Sequence, residues 1–290
     1  MVSPGYLAFH ADPKKPDQPL PANACDAHCH VFGPQAVYPF APSSTYEPVD
    51  AGKEILFQRH QFLGVDRAVV VQASCHGTDN SAMLDALKSG GDRYKGIAIV
   101  ADDVDHKSLD EMNEAGVRGV RFNFVKRLGG GKPPEYYRTI LEKIRRYDWH
   151  VVVYFDSEDI VSLAPFLQEI PCQVVIDHMG RVPVEQGTGG HAYRLLHNLL
   201  VNDDRFWVKI SCAERLSASG PPYADVDPIA VDLLATVPER ILWGTDWPHP
   251  NMKSHMPDDG QLVDRIMTIC ANTALQQRVL VENPARLYGF

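Results

Sequence analysis

Eight short apolar runs rich in β-branched residues recur along this chain, each followed by a longer stretch of helical period. This alternation constrains the fold more than any single residue does. The runs are residues 26–31, 67–72, 96–100, 117–122, 150–155, 173–177, 206–211 and 240–244. The stretches between them, among them 80–89, 108–115, 135–146, 157–168, 192–201 and 227–235, carry apolar residues at helix-like spacing and often open at Asp, Ser or Asn. Strands that alternate with helices predict a parallel sheet. Eight such units in about 270 residues match a single (β/α)8 barrel, usually about 250 residues long, better than an open sheet. The alternative, a doubly wound sheet, lacks its phosphate-binding signature: no GxGxxG follows the first run and no GxxxxGK[ST] occurs anywhere. The expected organisation is an extended, Pro-rich arm over residues 1–23 and one catalytic α/β domain over 24–290. Glycine-rich stretches at 129–134 and 187–190 read as loop tips.

With 290 residues, 44% of them hydrophobic, the chain can bury a large core. A formal net charge of −9 makes nucleic acid a poor partner. No apolar run approaches about 18 residues and the arm has no signal-peptide core, so the expectation is a soluble, cytoplasmic protein without membrane contact. Six scattered cysteines (Cys25, Cys29, Cys75, Cys172, Cys212, Cys270) form no CxxC and read as reduced thiols. The expected assembly is a monomer or small homo-oligomer.

In a barrel the active site sits at the C-terminal ends of the strands. Walking those ends gives His28 and His30 on the first, Ser74 and His76 on the second, Arg121, Asn123 and Arg127 on the fourth, Tyr154 on the fifth, His178 on the sixth, Arg215 on the seventh and Asp246 on the eighth. His28 and His30, two apart in a strand, share a face. By the same alternation Asp177 points away from the barrel axis and takes a structural role. His10, His60, His106, His150, His191, His197 and His255 read as ordinary solvated histidines, and His249, three residues past Asp246, is left open. Three histidines and an aspartate in a barrel mouth suit hydrolysis, since a carboxylate can take a proton from water while imidazoles polarise a carbonyl. They also suit zinc, which would generate the hydroxide itself.

The His28-x-His30 pair, His178 and Asp246 resemble the amidohydrolase superfamily. Closer still are the local sequences DAHCHVFGP at 26–34, QASCHGTDN at 72–80, RFNF at 121–124, KRL at 126–128, IDHMGR at 176–181 and WGTDWPHPNM at 243–252. Together they resemble the group of that superfamily that hydrolyses pyrone dicarboxylate lactones. The resemblance implies reversible opening of 2-pyrone-4,6-dicarboxylate to an open-chain tricarboxylate in the breakdown of lignin-derived aromatic acids. It implies Asp246 as the base toward water, His28, His30 and His178 around the ring carbonyl, and Arg121, Arg127 and Arg215 as a clamp on the carboxylates. Tyr46, Ser74, His76 and Tyr154 would complete the substrate's orientation. Where many members of the superfamily carry a bridging Lys or Glu on strand four and a His on strand five, this chain has Arg121 or Asn123 and Tyr154. These departures argue against a binuclear centre, and no metal cofactor is expected. The alternatives are a zinc-dependent lactonase or decarboxylase with one zinc at His28, His30 and Asp246, and a non-catalytic barrel that binds small carboxylates.

Overall fold

The computed structural model describes residues 3–290. Eight strands, β1 Cys25–Cys29, β2 Arg67–Val71, β3 Tyr94–Ala98, β4 Val117–Asn123, β5 His150–Tyr154, β6 Val174–Ile176, β7 Phe206–Lys209 and β8 Ile241–Leu242, form one sheet in sequence order, with every pair parallel. Runs such as Arg67–Val71 and Val174–Ile176 are valine-rich without alternation because both of their faces are covered, one by helices and one by the barrel interior. The sheet closes through backbone bonds across the β1/β8 seam: Ala27 N–H donates to Trp243 O (2.8 Å), Asp246 N–H to His28 O (2.8 Å) and His30 N–H to Trp247 O (2.8 Å). The chain is a (β/α)8 barrel.

Helices α1 Lys53–Leu63, α2 Ser81–Gly90, α3 His106–Glu114, α4 Pro134–Ile144, α5 Ile160–Glu169, α6 His191–Asn202, the short α7 Ala213–Leu216, α8 Asp227–Thr236 and α9 Asp259–Ile269 lie between or after the strands. Two more, α10 Thr273–Gln277 and α11 Asn283–Tyr288, finish the chain. Strand β3 starts two residues before the expected run, and β8 is shorter than its run. At Gly244 the reason is steric, because the backbone lies so close to β1 that a Cβ there would sit 2.4 Å from the His28 amide nitrogen.

The barrel interior is filled from below by Cys25, Ala27, Val69, Val71, Ile97, Val152, Val175, Trp207 and Leu242, with Tyr288 of α11 as the fully buried plug. A register shift in β1 between Asp26 and Cys29 is what aims the top layer. Such a bulge re-aims side chains, so that Cys25 and Ala27 join the inner core while His28 and His30, further along, still reach inward.

The arm runs over the upper face of the barrel without regular structure. Ser3 N–H donates to Glu47 O and Leu7 N–H to Met252 O (both 2.8 Å), and Phe9 packs on Trp247 with ring centroids 5.1 Å apart.

Candidate active site

A cleft enclosing about 400 Å³ between atoms opens at the C-terminal end of the strands. Its wall brings together nine of the residues expected from the sequence: His30, Tyr46, Ser74, Arg121, Arg127, Tyr154, His178, Arg215 and Asp246, with His28 just beneath. A larger depression, enclosing about 1840 Å³ between atoms, lies at the opposite face beside Trp149, His150, Trp207 and Arg286. It shares no residue with the Asp246 cluster and does not receive the strand C-termini.

Asp246 lies on the floor, 2% exposed, in a left-handed conformation (φ 63°) that turns its carboxylate back over the barrel mouth. Arg215 grips Oδ2 through Nη2 (2.7 Å) and Nε (3.2 Å). Oδ1 faces His30 Nε2 at 3.1 Å and His28 Nε2 at 3.5 Å. Burial works against the ionised carboxylate, but Arg215, the hydrogen bond from His30 and the neighbouring histidines outweigh it and hold the group well below the usual carboxylate range. His30 Nδ1 lies 2.7 Å from Val71 O. A carbonyl only accepts, so Nδ1 donates to it and Nε2 is turned toward Asp246 Oδ1. His178 contacts Ser211 Oγ through Nδ1 (2.8 Å) and lies edgewise to Tyr154. Burial pushes its pKa down to about 3, so it is neutral in any ordinary buffer.

Asp177 departs from the expectation. Strand β6 ends at Ile176, and His178, Met179 and Gly180 all take left-handed φ/ψ, so strand alternation no longer applies. Asp177 and His178 both reach inward. Asp177 Oδ2 accepts from Arg121 Nη2 (3.0 Å), and its Oδ1 is 3.2 Å from both Lys209 Nζ and His28 Nδ1. Lys209, fully buried on β7, also places Nζ 3.0 Å from His28 Nδ1. Sequence reasoning missed Lys209. The available signal was the only charge in the run Phe206–Lys209, on the same face as Trp207 of the inner core.

Arg121 stacks its guanidinium over Tyr154 at 4.8 Å, and Arg181 donates to the Tyr154 hydroxyl (2.9 Å). Ser74 Oγ donates to the Tyr46 hydroxyl (3.3 Å), whose pKa burial raises. Arg127 stands exposed on the rim. Arg215, expected on substrate, spends two of its nitrogens on Asp246 and one of them also on Pro250 O (2.7 Å).

His76 is absent from the cleft wall. Its ring is consumed as a clip: Gly33 N–H donates to Nε2 (3.2 Å) and Nδ1 donates to Pro39 O (3.3 Å). Two histidines expected to be solvated are buried. His60 contacts the Tyr94 hydroxyl (2.8 Å), and His150, the first residue of β5, lies against Tyr288 with neither ring nitrogen hydrogen-bonded among the described residues. Burial and then Lys209 push the pKa of His150 down to about 3.

His249, left open by the sequence, belongs to a buried ladder of alternating charge that starts at Asp246. Arg215 lies between Asp246 and Glu214 (Nε to Oε1 3.7 Å), and Glu214 faces His249 at 4.0 Å. His249 Nε2 meets Asp259 Oδ1 at 2.8 Å, and Asp259 reaches Arg59 (3.4 Å), which bonds the carbonyl of His10 in the arm. Burial opposes the charge on His249, yet Asp259 and Glu214 raise its pKa.

His28, His178 and Asp246 hold potential metal-ligand atoms within 4.8 Å of one another. Without a metal the same atoms form a carboxylate base ringed by imidazoles, beneath a wall of arginine and tyrosine suited to a small polyanion.

Residues 25–290 match the sequence family described as Amidohydrolase. The chain is 48% identical to the 2-pyrone-4,6-dicarboxylate hydrolase of Comamonas testosteroni, over 99% of this chain and 96% of that one. It is 36% identical to a 4-sulfomuconolactone hydrolase of Rhizobium radiobacter, over 93% and 91%. Among solved structures it resembles, at TM-score 0.80 and 29% identity over 92% of this chain and 100% of the other, an Acinetobacter baumannii protein. That protein is described as a probable 2-pyrone-4,6-dicarboxylic acid hydrolase and was solved with citric acid bound.

Proposed function

This chain belongs to the amidohydrolase family, and on that premise we propose that it is a lactonase that opens 2-pyrone-4,6-dicarboxylate to an open-chain tricarboxylate. The observation that carries this reading is the pairing of one buried carboxylate, Asp246, with His28, His30 and His178 on the floor of a cleft whose wall supplies Arg121, Arg127 and Arg215. A ring ester that bears two carboxylates needs both halves of that arrangement. The hydrolase names of the Comamonas and Rhizobium relatives support it, and so does the citrate, a tricarboxylate, in the Acinetobacter protein.

In the proposed mechanism Arg127 and Arg121 take the ring carboxylates, with Tyr46, Ser74 and Tyr154 fixing the plane of the ring. Water between Asp246 and the lactone carbonyl gives its proton to Asp246 as it attacks. The oxyanion that forms is met by imidazole N–H groups, and Asp246 returns the proton to the departing enol oxygen. Arg215 serves this cycle by aiming Asp246 and keeping it ionised. His76 has no part in it beyond holding the loop above β1.

The enzyme acts without a required metal in this reading, because Arg215 already neutralises Asp246, the one carboxylate in the group of His28, His178 and Asp246. The physiological setting is cytoplasmic breakdown of lignin-derived aromatic acids. The free thiols of all six cysteines fit a reducing compartment, and no helix among the described residues is long and apolar enough to cross a membrane.

Ultraviolet assay of purified protein with the dicarboxylated pyrone is the test, run beside 4-sulfomuconolactone and repeated on protein shown metal-free by elemental analysis. Faster turnover of the pyrone than of the sulfonate, retained after metal removal, is the expected result. Preference for the sulfonate would overturn the substrate, and activity lost on chelation and restored by zinc would overturn the metal-free chemistry.

A further inference from the structure

We propose that Lys209 holds the proton of His28 on Nε2, so that His28 presents an N–H donor to the cleft and cannot serve as a metal ligand. Lys209 is thus a positioning residue that acts through His28.

An ammonium buried in a barrel core is expensive unless it is paired. Lys209, with no exposed surface, has two partners within reach: Asp177 Oδ1 at 3.2 Å and His28 Nδ1 at 3.0 Å. Burial pulls the ammonium's pKa below the ordinary lysine value, and Asp177 offsets this only in part. Lysine in its charged form has three donors and no acceptor, so the imidazole nitrogen it touches must be the one that carries a lone pair. A neutral imidazole has a single N–H, which is then on Nε2. The ring is neutral because burial, with the adjacent Lys209 charge, holds its pKa well below the ordinary histidine value. Nε2 is fully buried, has no hydrogen-bond partner and lies 3.5 Å from Asp246 Oδ1.

A histidine that ligates a metal is arranged the other way round: it gives its lone pair to the ion and donates its second N–H to a carbonyl or carboxylate. His30 has that arrangement, with Nδ1 donating to Val71 O. At His28, Asp177 Oδ1 also stands 3.2 Å from Nδ1 but outside hydrogen-bond geometry, whereas the Lys209 ammonium, 3.0 Å away, is within it. The bond from Lys209 takes the lone pair of Nδ1 and leaves none on Nε2. The group His28, His178 and Asp246 is compact enough for an ion, but with Nε2 protonated and Asp246 gripped by Arg215 these residues do not fit one.

The tautomer can be read directly in wild-type protein by long-range 15N–1H spectroscopy of 15N-histidine-labelled enzyme, with His28 assigned from the signal missing in His28→Gln. The expected spectrum shows His28 with its proton on Nε2; a proton on Nδ1 would overturn the proposal whatever the variants do. In Lys209→Met the proton should move to Nδ1, toward Asp177, and Nε2 should become a ligand. That variant should then take up about one equivalent of zinc, whereas wild type takes up none. Stoichiometric zinc on wild type that disappears in His28→Gln would also overturn it. Lys209→Gln, which retains a donor without the charge, should keep the wild-type tautomer and so keeps the test open if the methionine variant does not fold. The catalytic consequence rests on the lactonase reading: kcat should fall about 100-fold in Lys209→Met with KM within a few-fold, as for loss of one oxyanion donor. The tautomer and the zinc stoichiometry are read without turnover, so a failed pyrone assay leaves them intact.

Discussion

At the scale of single residues the site is organised around the charge of Asp246. Replacing it by Asn should abolish turnover while leaving substrate affinity within about tenfold, since the base is lost and the shape kept; equilibrium binding and single-turnover kinetics check this. Arg215→Met tests the partner. In wild type the carboxyl is held well below 3.8, so the ionised, active form persists as pH falls through the ordinary carboxylate range. Without Arg215 burial dominates, the pKa of Asp246 rises, and the acid limb of kcat/KM should move to higher pH. The rate at pH 7 should fall by about 10- to 150-fold, the equivalent of about 1.5–3 kcal/mol for one charge-assisted bond. An acid limb that stays in place would show that Arg215 acts on substrate alone. Asp246 and the histidine pair were legible in the sequence because they sit at strand ends in recognisable strings. Lys209 and Asp177 were not. Lys209 looked like an isolated charge in an apolar strand, and Asp177 turns inward only because three left-handed residues follow it, a backbone feature that no side-chain pattern announces.

At the scale of elements the critical junction is the seam between β1 and β8. Asp26 ties it: Oδ1 accepts from the backbone N–H of His28 and of Thr245 (both 3.0 Å), and Oδ2 accepts from the Thr245 hydroxyl (2.6 Å). Gly244 lets the two backbones approach, since a Cβ there would come within 2.8 Å of Asp26 Oδ1 and 2.4 Å of the His28 nitrogen. Gly244→Ala should therefore push β1 outward. The expected cost is about 1–3 kcal/mol of stability from overpacking and about 100-fold in kcat from displaced histidines, read by denaturant unfolding and by assay. Normal activity in that variant would mean that the seam tolerates movement. The eight strands were legible from their valine-rich runs, whereas their ends were less so. β8 yields only two ladder residues because the chain leaves the sheet early to carry Asp246 over the mouth, and the face that α1 buries carries Arg59 and His60 beside Leu56 and Leu63.

Over the whole molecule, pH sensitivity follows from histidines buried in neutral form. His150 and His178 both have folded pKa values of about 3, against about 6.5 when unfolded. Below 6.5 the unfolded chain binds protons that the folded one refuses, so stability falls as pH drops, by about 1.4 kcal/mol per pH unit for each histidine until the folded pKa is reached. Urea unfolding at pH 7.5, 6 and 5 should show that decline, and His150→Leu, remote from the cleft, should flatten it at unchanged kcat. Equal slopes in variant and wild type would remove His150 from the explanation. The arm that crosses the barrel mouth has a consequence in time. Among its partners are Met256 for His10, and Asp258 and Asp264 for Lys14, at sequence separations of 244 to 250 residues. Contacts so far apart form only after the intervening chain has collapsed. The arm therefore completes its docking only once the β1/β8 seam has placed the loop that carries Asp246. During refolding the circular dichroism of strands and helices should return before catalysis does, with the delay set by the arm.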